Sequence, residues 1–179
     1  MSDIRVALLR GINVGRAKRI AMADLRTLVE GLGYRNVRTL LNSGNVVFSV
    51  PASVKGDPAA RIEKAVATEL GVQSRVMVLT AKEVATAVGG NPLGGVADNP
   101  SRLLVTVLAD PKTGELLKPL LKQPWAPEAL AVKGRFVYLW CPDGIIDSRA
   151  GLAVSKIVED GGTARNISTM GKLLDLVRA

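Results

Sequence analysis

Histidine is absent from this chain of 179 residues, and cysteine occurs once, at Cys141. A Ser-His-Asp or Cys-His nucleophile system is therefore excluded, as is a zinc site built from His and Cys ligands. General acid–base chemistry would fall to Asp, Glu, Lys or Tyr with pKa values moved by their surroundings. One cysteine cannot close an intrachain disulfide and gives no sign of an oxidising compartment. In its strand-like setting Cys141 reads as a small hydrophobe. Aromatic residues are scarce, with two each of Trp, Tyr and Phe. Long apolar runs are missing too: the longest, Leu103 to Ala109, falls far short of the roughly 20 residues of a membrane span. Asp3 and Arg5 lead straight into a strand pattern, unlike a signal peptide. No Walker-type loop, GxGxxG or carboxylate metal cluster appears. The expectation is a cytoplasmic protein with no metal, no cofactor and no membrane partner.

What is present is a core and a charge imbalance. Hydrophobic residues make up 47% of the chain, enough for a folded globular protein. Its length suits one average domain or two small ones. The net charge is +8. Residues 1–80 hold 12 basic and 6 acidic side chains, whereas residues 81–179 hold 12 and 10. The excess is densest in Arg5, Arg10, Arg16, Lys18, Arg19, Arg26, Arg35 and Arg38. Such a field favours an anionic small molecule, nucleic acid or an acidic protein; equally, a basic chain can simply be a soluble one.

Periodicity predicts a repeated order of elements. Ile4 to Arg10 reads as a buried strand; Met22, Leu25, Leu28, Val29 and Leu32 fall on one helical face closed by Gly33. Val37 to Leu41 and Asn45 to Val50 form a hairpin around Asn42-Ser43-Gly44. Asp57-Pro58 caps and opens a helix that Gly71 ends, and Arg75 to Leu79 is a fourth strand. The order βαββαβ is that of the ferredoxin-like plait, here assigned to residues 1–80. Thr80 and Glu83 make a capping box for a short helix to Val88, and Gly89 to Gly95 is a linker or mobile loop.

Residues 81–179 read as a second plait-like α+β unit with C-terminal helices. Leu103 to Leu108 is a strand, Asp110-Pro111 opens a helical pattern that Pro119 is expected to kink or divide into two short turns, and a hairpin turns at Lys133-Gly134. Helical patterns follow at Ala150 to Val158 and Ser168 to Val177, so the last strand is expected to be missing or replaced. The fold class is thus α+β, two ferredoxin-like units in tandem, the second truncated or modified.

Two segments place hydrogen-bonding residues beside glycine at the end of an apolar run: Leu8-Leu9-Arg10-Gly11-Ile12-Asn13-Val14-Gly15 and Ser43-Gly44-Asn45-Val46-Val47-Phe48. With Met22 and Leu25 they resemble a bacterial family known as domain of unknown function 1697. The likeness extends to Ser155-Lys156 and to Thr163-Ala164-Arg165-Asn166, similar to the family's Thr-x-Arg-Asn signature. It implies a two-part α+β fold and no reaction, since the family has no established activity. The chain departs from the family at Ile167-Ser168-Thr169, where Trp-Asn-Thr is usual, and at Arg16, where a second glycine is usual. The segment between Lys156 and Thr163 is also shorter than the resemblance implies.

In a plait the first and third strands are antiparallel neighbours, so Arg10 to Asn13 and Ser43 to Asn45 reach the same edge of the sheet. Arg10, Asn13, Ser43 and Asn45 are the candidate ligand-binding residues there. Lys156, Arg165 and Asn166 join them only through the resemblance and their chemistry. An anion would meet the arginine fork and glycine-freed N–H groups. The other reading is that the asparagines bond their own turns and Arg10 pairs locally. Arg16, Lys18 and Arg19, before a helix N-terminus, are candidates for nucleic-acid contact. Phe136, Tyr138 and Trp140 alternate as a base-stacking row would, but apolar Val137, Leu139 and Cys141 on the other face suit a strand buried on both sides. Three functions remain open: binding of an anionic ligand or nucleic acid, an enzyme acting on a phosphorylated or carboxylated small molecule with unassigned catalytic residues, and a protein–protein adaptor.

Overall fold

The computed structural model describes residues 2–179. It is a mixed α and β structure with two four-stranded antiparallel sheets and six α-helices. Contacts divide the chain into two compact units: Met1–Val84 with Leu173–Ala179, and Ala85–Lys172. The last seven residues, which the sequence reading groups with the second unit, thus pack with the first.

The first unit runs β1 (Asp3–Leu9), α1 (Met22–Gly31), β2 (Arg35–Leu40), β3 (Asn45–Val50), α2 (Pro58–Leu70) and β4 (Val76–Thr80). Its sheet order is β2-β3-β1-β4. Val6, Ala7, Leu8 and Leu9 are all fully buried, so β1 is apolar without alternation because both of its faces are covered. Ala7, Leu9, Val46, Phe48 and Val76 belong to one core cluster with Leu25, Leu28 and Val29 of α1 and Ile62, Ala65 and Val66 of α2. Asp57 caps α2 as its spacing predicts, accepting a bond from the Ala60 N–H at 3.3 Å, and Gly71 ends the helix in the left-handed conformation. The capping box also forms. The Thr80 N–H donates to Glu83 Oε2 (2.8 Å) and the Glu83 N–H to Thr80 Oγ1 (3.0 Å), opening α3 (Ala81–Gly89).

The second unit contains β5 (Leu103–Leu108), α4 (Thr113–Leu121), β6 (Ala129–Lys133), β7 (Phe136–Trp140), α5 (Arg149–Val158) and β8 (Gly162–Asn166), in sheet order β6-β7-β5-β8. The helix α6 (Ile167–Arg178) follows directly. Every residue of β7 is buried, and the Tyr138 hydroxyl donates to the Ala87 carbonyl at 2.6 Å. The aromatic row is therefore core and does not present a stacking face. Around Gly89 to Gly95 the backbone is hydrogen-bonded: the Gly90 N–H reaches Thr86 O at 2.8 Å, and Lys133 Nζ reaches Gly90 O at 3.3 Å.

Two expectations need correction. The last strand of the second unit is present: β8 pairs with β5 from Leu104↔Asn166 to Leu108↔Gly162. Its sequence, Gly-Thr-Ala-Arg-Asn, fills its buried positions with Gly162, Thr163 and Arg165 instead of large apolar side chains, so hydrophobic periodicity could not reveal it. Pro119 neither breaks nor splits α4, which is a single helix through Leu121. Proline forfeits one hydrogen bond and crowds the preceding turn, and here the helix ends two residues later.

Candidate functional site

Antiparallel pairing brings four strand ends to one edge of the first sheet. Leu8 faces Asn45, Leu9 faces Val76, and Leu40 faces Asn45, so β1 and β2 finish where β3 and β4 begin. The segments beyond them are stitched together by backbone bonds: Leu9 N–H to Gly44 O (2.9 Å) and Arg10 N–H to Arg75 O (2.9 Å). The Ser74 hydroxyl donates to Arg10 O at 2.8 Å. Gly44 permits the closest of these approaches. A Cβ there would lie 2.8 Å from Leu9 Cβ and 2.9 Å from Ile12 Cδ1, and φ is +87°.

From this edge the chain projects a small finger, residues 13–18. The Asn13 N–H bonds Lys18 O at 3.0 Å, and Val14 and Ala17 form a bridging pair. The Asn13 carboxamide holds the base of the finger. Its Nδ2 donates to Ile20 O (2.9 Å) and Asn42 O (2.7 Å), while its Oδ1 accepts from the Ile20 N–H (2.8 Å). One side chain thus ties both arms of the loop to the β2–β3 turn. Asn13 itself sits at φ 56°, a left-handed conformation that asparagine tolerates better than most residues.

The basic residues of the finger divide by role. Arg19 Nη1 donates to Asn13 O and Gly15 O, both at 3.3 Å, and so braces the loop. The exposed side chains of Arg16 and Lys18 have no hydrogen bond or ion pair among the described residues. Apolar Val14 (72% exposed) and Leu41 (53% exposed) flank this edge. Asn45 is fully buried, its Nδ2 donating to Leu40 O (2.8 Å) and Ser43 Oγ (2.9 Å), so Ser43 and Asn45 shape the turn. The structure brings Arg10, Asn13, Ser43 and Asn45 to the same edge, with both asparagine amides bonded to their own loops.

Lys156, Arg165 and Asn166 lie in the second unit. Lys156 is exposed in the last turn of α5, where a cation complements the helix dipole. The Asn166 side chain caps α6, its Oδ1 accepting from the Thr169 N–H at 2.8 Å. Arg165, 8% exposed, donates from Nη1 to Thr163 Oγ1 and Ala164 O, each at 2.9 Å. Burial lowers its pKa to about 10, which leaves the guanidinium charged at neutral pH.

Sequence reasoning missed Ser74 and Arg75. Both immediately precede β4 and lie beside Arg10 at the end of β1, a place set by the β1–β4 register, which the pairing of first and third strands does not specify. Arg75 also pairs with Glu63, Nε to Oε1 at 3.4 Å. Among the described residues no group of three or more His, Cys, Asp or Glu side chains could hold a metal ion. No helix among them is long and apolar enough to cross a membrane.

Residues 3–138 match the family model described as "Protein of unknown function (DUF1697)". The chain belongs to that family. The matched range covers the whole finger edge of this DUF1697 protein and stops before Lys156, Arg165 and Asn166. A solved structure, the conserved bacterial protein SP0830 from Streptococcus pneumoniae, is similar over 100% of both chains, with a TM-score of 0.80 at 19% identity. At that identity the likeness shows a shared fold alone. No curated protein matches.

Proposed function

We propose that this DUF1697 protein binds a polyanion, nucleic acid in the first instance, weakly and without sequence preference, through the finger edge of its first unit. The observation that carries the reading is the finger itself: a loop anchored at three points by Asn13 that holds Arg16 and Lys18 in solvent without protein partners. A cation on a fixed loop loses less entropy on meeting a phosphate than one on a mobile tail. In this reading Arg10 adds charge at the edge, Arg19 braces the finger, and Asn13, Ser43 and Asn45 position the backbone. Lys156, Arg165 and Asn166 are left outside the proposed site. Each unit is, in the same proposal, a ferredoxin-like plait, which the two sheet orders and the repeated element order support.

Phosphate contacts release counterions, so the logarithm of affinity falls linearly with the logarithm of salt, by about 0.9 for each phosphate neutralised on duplex DNA. Fluorescence anisotropy with a labelled duplex, titrated between about 50 and 200 mM salt, measures that slope. Substituting Arg16→Ala with Lys18→Ala should flatten it by about 2 while far-UV circular dichroism stays unchanged. An unaltered slope, or no retention of the wild type on heparin at low salt, would reject the proposal.

A further inference from the structure

A second site is legible at the opposite edge of the first sheet, far from the finger in the strand register. Here β2 carries a bulge. Arg35 faces Ser49 and Arg38 faces Val47, so Asn36 and Val37 together oppose the single residue Phe48. Asn36 takes φ 52°, the left-handed region again, and its Nδ2 donates to Ser49 Oγ at 3.3 Å. Bulges that re-aim side chains are common beside binding sites and at sheet edges alike, so the bulge alone decides nothing. What it borders decides more. A groove of about 600 Å³ runs along it, walled by the chain leaving β3 at Val50, Pro51 and Val54. That volume lies within the range of small-molecule sites. The wall is held in place: the Val54 N–H bonds Pro51 O at 3.0 Å, and Val54 Cγ2 lies 3.1 Å from where a Cβ on Gly33 would be. At φ +96° position 33 favours glycine, and a Cβ there would press on Val54 Cγ2 by a few tenths of an ångström.

The polar groups of the groove have one sign to offer. Arg35 and Lys55 line it, and neither side chain has a protein partner among the described residues. Asp3 also lines it, but both of its oxygens are taken by Arg5, from Nε at 2.7 Å and from Nη2 at 2.9 Å. That pairing holds the Asp3 carboxyl below its usual range and offsets its charge. Ser49 accepts from Asn36, which leaves its own proton to donate. The groove therefore presents a guanidinium, an ammonium and a hydroxyl donor against an apolar wall of Val50, Pro51 and Val54.

We propose that this groove binds a small organic anion: a phosphate monoester or carboxylate head on Arg35, Lys55 and Ser49, with a compact apolar body against the Pro51–Val54 wall. The guanidinium fork suits either head, because both offer paired oxygens. The groove shares no residue with the finger.

Titrating the nitrogen-15-labelled full chain with phenyl phosphate, followed by amide chemical shifts, tests the site. Saturable shifts are expected at Asn36, Ser49, Val50, Val54 and Lys55, with a midpoint at least fivefold lower than for inorganic phosphate. Benzoate as a second probe separates the two head groups, and a saturable response to either supports the shared chemistry. The pair Arg35→Gln and Lys55→Gln, both at exposed positions and checked by the dispersion of the same spectra, should raise the midpoint at least tenfold. The finger pair Arg16→Ala and Lys18→Ala should leave it unchanged. Shifts confined to residues 14–19, equal midpoints for phenyl and inorganic phosphate, or a midpoint indifferent to the Arg35 and Lys55 changes would each overturn the proposal.

Discussion

Removing the Asn13 side chain should cost the first unit more than any other single polar truncation at the finger edge. The carboxamide makes three bonds, to Ile20 O, Asn42 O and the Ile20 N–H, at 2.7 to 2.9 Å. At about 1 kcal/mol net for each in a half-buried setting, their loss in Asn13→Ala amounts to about 3 kcal/mol. Alanine at φ 56° adds about 1 kcal/mol, because its Cβ crowds the following carbonyl in the left-handed region. The expected total is about 4 kcal/mol, a large share of the roughly 5–15 kcal/mol that separates a folded domain from its unfolded chain. Asn13→Gly loses the same bonds but not the backbone fit, so it should sit about 1 kcal/mol above the alanine variant. Urea unfolding followed by far-UV circular dichroism reads both. Hydrogen exchange at the Ile20 amide supplies a local check, since that N–H loses its acceptor in either variant. The reasoning is refuted if Asn13→Ala lies within about 0.5 kcal/mol of wild type, or if glycine is no better tolerated than alanine. In the first case the finger does not depend on its clamp, and the structural basis for a fixed cationic loop goes with it.

The remaining predictions address other parts of the fold. Gly44→Ala places a Cβ 2.8 Å from Leu9 Cβ at φ +87°, so it should destabilise by about 3 kcal/mol or more, read as a lowered urea midpoint. Asp57→Ala removes the cap of α2 and should cost about 1 kcal/mol, whereas Asp57→Asn should cost much less. Tyr138, fully buried, has its pKa raised by burial to about 12. A raised pKa protects stability below the unfolded value near 10 and loses it as pH climbs towards 12. The second unit should therefore lose about 2–3 kcal/mol across that interval, and Tyr138→Phe should remove this part of the alkaline slope; parallel curves for the two proteins would contradict it.

How much of this was legible beforehand depended on whether a residue's role was carried by neighbours in sequence. Asp57-Pro58, Gly71 and the Thr80–Glu83 box act within one turn of their own helix, so spacing alone located them. The meeting of Arg10 to Asn13 with Ser43 to Asn45 was legible as well, because it follows from antiparallel pairing of first and third strands. β8 escaped because its buried positions are held by Gly162, Thr163 and Arg165, none of which counts as apolar in a periodicity reading. Periodicity reads burial only through apolar side chains, and β8 is buried without them. Ser74 and Arg75 escaped for another reason: their place opposite Arg10 is a property of the sheet register and has no local signature.

The same distinction separates candidates that shape a site from those that can contact a ligand. Asparagine beside glycine signals a turn and a binding loop equally well, since both need a backbone held in an unusual conformation by an amide. At the finger edge the amides of Asn13 and Asn45 are committed to backbone oxygens, and an amide proton already donated to a carbonyl is not available to an anion without cost. What this edge has left to offer a partner is charge, above all at Arg16 and Lys18, and charge on long side chains distinguishes phosphate from no phosphate but not one base from another. A site built this way predicts its own selectivity. Under the proposed function, exchanging the sequence of a duplex probe at fixed length should change affinity by less than about threefold, while raising salt fourfold should change it by far more. A strong sequence preference would mean that recognition lies in residues other than the exposed cations of the finger.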